Sequence, residues 1–417
     1  MIYTRKLKKE LMRNMNSDLI LVVTGMRRVG KTYLLQDIFN GLKTANKIFF
    51  DLERDKDLSL FKENNFTGIE RNFKQRGINL ISKQPGDLIN TAQRAWIFID
   101  EIQYYRKLTS ILKYFADHFQ VKFVVTGSSS FYLKNYFSES LAGRKKVFNL
   151  YPLDFSEYLQ FQGKENLECK KSLSELMNLH THYINDEYVE DFNQYLRIGG
   201  FPQVVLAKSE QDQKEILQDI LTSYLAIDVQ TLADIKKIDD FRKLIYLLPA
   251  RVGQKMDISK LSRITGLARE TVANYLALLQ NTFVISLIKP FSRSPDREIS
   301  SVPKLYFSDH GLAGELGELS EGQRLENYVY SQLKNHFKLN YYQRKSGTEI
   351  DFIADKKIGI EVKIFGDSNN LSKLERLSIS LKLPEYYLVT KKAEPHLVNP
   401  IIPAYLLGFL DRYPLGV

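Results

Sequence analysis

The chain has 417 residues, a formal charge of +10 and a single cysteine, Cys169. This length predicts two to four domains whose cores need no disulfide or metal to fold, and one cysteine excludes a disulfide within the chain. A helix that crosses a bilayer needs about eighteen apolar residues in succession, and no run in this sequence approaches that length. We therefore expect no membrane helix and no signal peptide. We also expect no membrane partner and a cytoplasmic location. The basic charge is a weak indication of a polyanionic partner such as DNA.

The first 150 or so residues alternate between strand-like and helical segments. The strand-like runs are LILVVTG, KIFFDLE, AWIFIDEI, VKFVVTGSS and KVFNLYPL. Such alternation predicts an α/β fold with a mostly parallel sheet covered by helices.

A phosphate-binding loop follows the first of these strands, with the sequence GMRRVGKT from Gly25 to Thr32. Its glycines let backbone N–H groups converge on phosphates, Lys31 neutralises the β and γ charge, and Thr32 can ligate Mg²⁺. An ordinary glycine turn is the alternative. No N-K-x-D motif for guanine follows, so we expect ATP. The residues predicted to contact it are Gly25, Arg27, Arg28, Val29, Gly30, Lys31, Thr32 and Tyr33.

Two acids end the strand WIFIDE. Asp100 is expected to hold Mg²⁺ through water and Glu101 to polarise the attacking water, which indicates hydrolysis as well as binding. Solvated acids at a strand end are the alternative. Thr126, Ser128 and Ser129 end the next strand, and Ser128 is the predicted sensor of the γ-phosphate.

Arg144, in SLAGRKKV, precedes another strand. A guanidinium there can offset charge on the transferred phosphoryl group of a neighbouring subunit, which requires a homo-oligomer. The alternative is a basic surface run of Arg144, Lys145 and Lys146.

Residues from about 155 to 250 are predominantly helical. ISKLSRITGL and ARETVANYLALL then predict a helix-turn-helix with its turn at Gly266, and FSRSPDREISSVP is a candidate wing or linker. Arg269, Thr271 and Asn274 are candidates for contact with DNA. The alternative is that this element mediates contacts between subunits or domains.

The last hundred or so residues return to mixed helix and strand. Asp351 lies on one predicted strand, and Glu361 and Lys363 share a face of the next because they are two residues apart. Two carboxylates and an amine grouped by this hairpin are expected to hold Mg²⁺ and cleave phosphodiesters. Glu326, on the preceding helix, could complete the metal shell, and Gln343 and Arg344 could contact the phosphate backbone. The alternative is the polar face of a half-buried hairpin.

These motifs together resemble the prokaryotic AAA-type ATPase family with a C-terminal DUF4143 region, and the carboxylates resemble the PD-(D/E)xK nuclease core. The resemblance also covers YLRIGGFPQVV, YLAIDV, KLYFSDHGL and LENYVYSQL. It implies an AAA+ core (1–158), a helical lid (159–235), a winged helix (236–300) and a restriction-endonuclease-like domain (301–417).

Three functional hypotheses follow. In the first, ATP hydrolysis is coupled to DNA and to the C-terminal nuclease-like domain. In the second, the chain is a STAND-like regulatory switch whose C-terminal domain binds a protein or DNA partner without cleaving DNA. In the third, it is an antitoxin-like or defence-associated regulator with a vestigial nuclease fold.

Overall fold

The structure is a computed structural model. It describes residues 3–63, 65–84, 93–127, 141, 143–164, 168–170, 172–180, 186–232, 235, 237–292, 294, 296, 298, 301–344, 347–393 and 400–411. These residues form two compact units, Met1–Tyr151 with Asn281–Phe283, and Pro152–Gln280 with Val284–Val417. Among them, every helix is too short or too polar to cross a membrane.

The first unit is built around a five-stranded parallel sheet in the order β2-β3-β4-β1-β5. Every residue of the three inner strands is buried, whereas the two edge strands are partly exposed. Inner strands of a parallel sheet are covered on both faces, which explains their uninterrupted apolar sequences. The α/β fold with a parallel sheet is therefore confirmed. The strands are β1 (Ile20–Thr24), β2 (Lys47–Asp51), β3 (Ala95–Asp100), β4 (Val121–Gly127) and β5 (Lys145–Asn149).

Helices cover this sheet. An aromatic cluster packs beneath it, with Phe50 and Phe61 5.1 Å apart and Phe73 and Phe115 5.2 Å apart between ring centroids. The helices are α1 (Lys6–Asn14), α2 (Lys31–Gly41), α3 (Asp55–Leu58), α4 (Phe66–Gln75) and α5 (Leu108–His118).

The second unit begins with helices, as the sequence predicts. They are α6 (Phe155–Phe161), α7 (Leu173–His180), α8 (Asp186–Ile198), α9 (Pro202–Leu206), α10 (Glu210–Ser223) and α11 (Ile238–Ile245), with a π-helix over Tyr224–Leu232. Next come α12 (Ile258–Thr265) and α13 (Arg269–Asn281), separated by a turn at Gly266 in the left-handed conformation.

An antiparallel strand pair follows, β6 (Ile285–Ile288) with β7 (Lys304–Phe307). The predicted boundary at Ser300 falls between these paired strands, and the one at Tyr158 falls inside α6. The division into four domains stays a prediction.

A second five-stranded sheet, in the order β12-β11-β10-β9-β8, completes this unit. β8, β9 and β10 pair antiparallel, whereas β10, β11 and β12 pair parallel. The strands are β8 (Leu339–Gln343), β9 (Glu349–Ala354), β10 (Ile358–Gly366), β11 (Glu385–Ala393) and β12 (Ile401–Pro403). The helices are α14 (His310–Leu316), α15 (Glu321–Leu333) and α16 (Ser368–Ser380).

Candidate functional site

The predicted nucleotide loop leaves the carboxyl end of β1 and enters α2 at Lys31. Gly25 has φ +155°, and a Cβ at this position would clash with the carbonyl oxygen of Leu150. Only glycine therefore lets the loop pass so close to the chain that follows β5.

Arg5, which the sequence analysis did not single out, supports the loop from beneath. Its guanidinium is buried and donates hydrogen bonds of 2.7 Å to the carbonyl oxygens of Val29 and Tyr151. These bonds fix the loop backbone, so Arg5 positions the loop.

Lys31 is buried at the start of α2. Its ammonium group donates to the carbonyl oxygens of Gly25 at 3.1 Å and Met26 at 2.9 Å, both within the loop. The ammonium group is thus held by two backbone carbonyl oxygens of the loop. The helix dipole adds favourable potential for an anion at the same point.

Asp100 and Thr126 lie at the carboxyl ends of the neighbouring strands β3 and β4, the end of the sheet at which the loop leaves β1. The Thr126 hydroxyl donates to the Asp100 carboxylate and accepts the backbone N–H of Glu101 at 3.1 Å. Burial raises the pKa of Asp100, while hydrogen bonds from Thr126 and Thr32 oppose the rise. Asp100 is therefore a buried carboxylate in contact with the threonine of the loop.

Glu101 has φ +55°, in the left-handed region that residues other than glycine rarely adopt. This conformation costs on the order of 1 kcal/mol, and strain of this kind is concentrated at functional sites. The side-chain amide of Gln103 donates to the Glu101 carboxylate. Gln103 thus orients the acid predicted to activate water, and no motif in the sequence marks it.

Val29 is buried, whereas Arg27, Arg28 and Tyr33 are partly or fully exposed. Arg27 donates to the Tyr104 hydroxyl at 3.4 Å, which in turn donates to Glu53 at 3.3 Å. Tyr33 is 40% exposed and Arg28 is also exposed, so both are accessible to a ligand.

Arg144 lies elsewhere in the first unit. It precedes β5 at the amino end of the sheet, where its carbonyl accepts the N–H of Ile20, and its guanidinium pairs with Asp117 at 2.8 Å. The loop begins at the opposite end of β1, so the structure does not bring Arg144 to the loop of its own chain. Its predicted role across a subunit interface stays a prediction. Ser128 and Ser129 lie outside the described residues.

Mg²⁺ prefers oxygen ligands, and Asp100 at the end of β3 and Thr32 in the first turn of α2 offer them. The two side chains are already in hydrogen-bonding contact, and the buried Asp100 carboxylate is a group that a cation would stabilise. The residues present therefore fit Mg²⁺ bound together with a nucleotide.

The second group of candidate residues converges in the C-terminal sheet. Asp351 on β9 accepts the backbone N–H of Val362 at 2.8 Å, and Glu361 approaches the N–H of Asp351 at 3.4 Å. Lys363 donates to Glu361 at 2.6 Å. Because β9 and β10 are antiparallel neighbours, residues ten apart in sequence meet in this arrangement.

Lys304 on β7 reaches the same cluster. Its ammonium nitrogen is 3.1 Å from Glu349 and 4.0 Å from both Glu326 and Asp351. The Tyr306 hydroxyl donates to Glu326 at 2.7 Å. Glu326 therefore joins the cluster, as the resemblance implies, together with Lys304 and Glu349, which the sequence analysis did not identify.

Two acids of this cluster, Glu326 and Glu361, have raised pKa values. Burial, aided by the charge of Asp351, raises the pKa of Glu326 to about 7 and that of Glu361 to about 8. Burial alone would lower the pKa of Lys304, but Glu326, Asp351 and Glu349 together raise it. Lys304 is therefore held as a charged group.

The fit to a divalent metal is poor here. Within the described residues, no three histidine, cysteine, aspartate or glutamate side chains are grouped so that they could hold a metal ion. Asp351 and Glu361 are instead engaged by the backbone and by Lys363, and Lys304 lies among the carboxylates. The assignment of Asp351 and Glu361 as metal ligands stays a prediction.

The candidate DNA-contacting residues have the following surroundings. Gln343 donates to Glu349 at 3.1 Å, and Arg344 donates to Ser380 at 3.0 Å. On α13, Arg269 and Asn274 are exposed and Thr271 is partly exposed.

Family models match three parts of the chain. Residues 17–159 match the model described as an AAA domain. Residues 321–407 match DUF4143 and residues 189–323 match DUF8612, both described as domains of unknown function. The AAA and DUF4143 parts of the resemblance are thus confirmed, and the nuclease-like character of the latter stays a prediction.

Two of the proteins with similar sequences are described as uncharacterized. An uncharacterized protein of Methanocaldococcus jannaschii is 27% identical over 84% of this chain and 73% of its own length. Another, from Haemophilus influenzae, is 26% identical over 85% of this chain and 84% of its own length.

Among solved structures, the Aeropyrum pernix ORC1 protein in complex with DNA is 11% identical over 76% of this chain and 92% of that chain, with a TM-score of 0.31. The Aeropyrum pernix ORC2 protein in its ADP form is 10% identical over 67% of this chain and 85% of that chain, with a TM-score of 0.34. Scores this low do not establish a common fold.

Proposed function

We propose that the first unit binds ATP with Mg²⁺ and hydrolyses it. The observation that carries this proposal is that Thr126 hydrogen-bonds to both Asp100 and the backbone of Glu101. These residues lie at the same end of the sheet as the loop that leads into α2. The match of residues 17–159 to an AAA domain supports it independently.

In this proposal each residue has a defined task. Lys31 exchanges its two loop carbonyls for phosphate oxygens of the β and γ groups. Asp100 and Thr32 hold Mg²⁺, which when bound neutralises charge on the phosphates. Glu101, oriented by Gln103, accepts the proton of the attacking water.

The test is nucleotide binding by Lys31→Ala, measured with a fluorescent ATP analogue. Loss of one charge-assisted hydrogen-bonding group, worth about 1.5–3 kcal/mol, should weaken binding by about 10- to 100-fold. The matched control is Lys113→Ala, which removes an exposed lysine of α5 and should leave affinity unchanged. Equal affinities of Lys31→Ala and the wild-type chain would refute the proposal.

For the second unit we propose the regulatory form of the function, in which nucleotide state controls binding of DNA without cleavage. The exposed Arg269 and Asn274 on α13 and the formal charge of +10 support DNA as the partner. The convergence of Glu326, Asp351, Glu361 and Lys363 favours the alternative, a nuclease, whereas Lys304 among these acids disfavours it.

Two assays test this proposal, the first for DNA binding and the second for DNA cleavage. Arg269→Ala should weaken binding of a labelled duplex about equally for different sequences, because a contact to phosphate carries no base information. Incubation of the wild-type chain with ATP, Mg²⁺ and supercoiled, linear or single-stranded DNA should leave the DNA intact. Cleavage that Asp351→Ala abolishes would establish the nuclease instead.

A further inference from the structure

Lys304 is an unusual residue for its position. It opens β7 in the run KLYF, and only 2% of its surface is exposed. A lysine is rarely buried to this degree unless carboxylates compensate the desolvation of its charge. What surrounds the ammonium group therefore decides what the residue does.

Three carboxylates from two different elements surround it. Glu326 comes from α15, and Glu349 and Asp351 come from β9, with nitrogen-to-oxygen distances of 4.0, 3.1 and 4.0 Å. The face of Tyr341 lies 5.4 Å from the same nitrogen, where a cation is also favoured. The ammonium group thus occupies the point on which the acids converge.

Asp351 and Glu361 also have other partners in the protein. One oxygen of Asp351 accepts the Val362 N–H at 2.8 Å, and Glu361 accepts Lys363 at 2.6 Å. A hard divalent ion needs several oxygens at about 2.0–2.6 Å, and it would compete with two ammonium groups for them. Lys304 cannot share this space with such an ion.

We propose that Lys304 is the resident cation of this cluster, so that the wild-type chain takes no divalent metal at Glu326, Asp351 and Glu361. The cluster is then an internally neutralised acid–lysine site that holds α15, β7, β9 and β10 together. This inference is independent of the ATPase proposal, because the two sites share no residue.

The experiment is a titration with Mn²⁺ followed by electron paramagnetic resonance, on the full nucleotide-free chain. All proteins carry Thr32→Ala, which removes a metal ligand of the first unit. We expect no Mn²⁺ binding that depends on Asp351 while Lys304 is present. Lys304→Met should create about one Mn²⁺ site per chain, at least about tenfold tighter than any in the parent, because it removes the ammonium group from among the acids.

The matched control is Lys356→Met. It removes an exposed lysine paired with Glu298 at 2.9 Å, outside the cluster, and should gain no site. A folded Lys304→Met chain that gains no Mn²⁺ site overturns the proposal.

The proposal also stays testable if Lys304→Met does not fold. Binding of Mn²⁺ by the chain that keeps Lys304, lost on Asp351→Asn, overturns it without that variant. Equal Mn²⁺ binding with and without Asp351→Asn supports it.

Discussion

Asp309 connects two sequence motifs of the second unit, YLRIGGFP and KLYFSDHGL. One oxygen of its buried carboxylate accepts the Gly200 N–H at 2.8 Å, and the other caps α14 by accepting the Leu312 N–H at 2.8 Å. Gly199, with φ +78°, lies so close that a Cβ there would clash with this carboxylate. Replacement of Asp309 should therefore destabilise the second unit.

The cost can be worked out from these two bonds. Loss of an N-cap costs about 1 kcal/mol, and a buried N–H left without an acceptor costs about 1–3 kcal/mol. Asp309→Ala loses both, so we expect a free energy of unfolding lower by about 2–4 kcal/mol. Asp309→Asn keeps the cap of α14 but turns an amide donor towards the Gly200 N–H. It should therefore lower the free energy of unfolding by about 1 kcal/mol less than Asp309→Ala does.

Urea unfolding followed by circular dichroism measures these costs, and hydrogen exchange of the Gly200 amide reports the lost bond directly. Asp257→Ala is the matched control, because Asp257 caps α12 through Lys260 but is exposed. It should cost only about 1 kcal/mol. The reasoning fails if Asp309→Ala costs no more than Asp257→Ala, or if exchange at Gly200 is unchanged.

Two further predictions concern buried charges. Lys122 donates to the carbonyl oxygens of Asn14, Ser17 and Leu19 at 2.6–3.0 Å. Lys122→Met should therefore lower the free energy of unfolding of the first unit by about 1–3 kcal/mol. Fluorescence of the single tryptophan during urea unfolding measures this change, and an unchanged transition would contradict the prediction. Burial raises the pKa of Glu361 in the folded state from 4.5 to about 8. The folded state therefore binds this proton more tightly than the unfolded state does. As a result, the free energy of unfolding of the wild-type chain falls as the pH rises from 4.5 to about 8. Glu361→Gln does not titrate, so its stability relative to wild type should increase from pH 5 to pH 8.5 in urea titrations, and a constant difference would refute the pKa shift.

The sequence predicts the first unit well because its physical signals are local. Buried parallel strands produce continuous apolar runs, and the phosphate loop has a fixed spacing between glycines and Lys31. Arg5 and Gln103 carry no such signal. Arg5 reaches Val29 across 24 residues and Gln103 acts through one side-chain bond, so only the folded chain reveals them.

In the second unit, the hairpin that joins Asp351 to Glu361 follows from a short separation and alternation of side chains along strands. In the sequence, Lys304 precedes the apolar residues LYF, and this pattern predicts only the start of a strand. Its role depends on the pairing of β7 with β6 and on the placement of α15, which no local pattern specifies. The same holds for Asp309 and Gly200, which are 109 residues apart.

Single-turnover hydrolysis by Glu101→Gln tests the ATPase proposal most directly. Labelled ATP is mixed with excess protein and Mg²⁺, the reaction is stopped with acid, and ATP and ADP are separated. The wild-type chain should convert its bound ATP to ADP, whereas Glu101→Gln should bind ATP with unchanged affinity and convert it about 10²- to 10⁴-fold more slowly. Equal rates in the two proteins, or no conversion by the wild-type chain, would contradict the account.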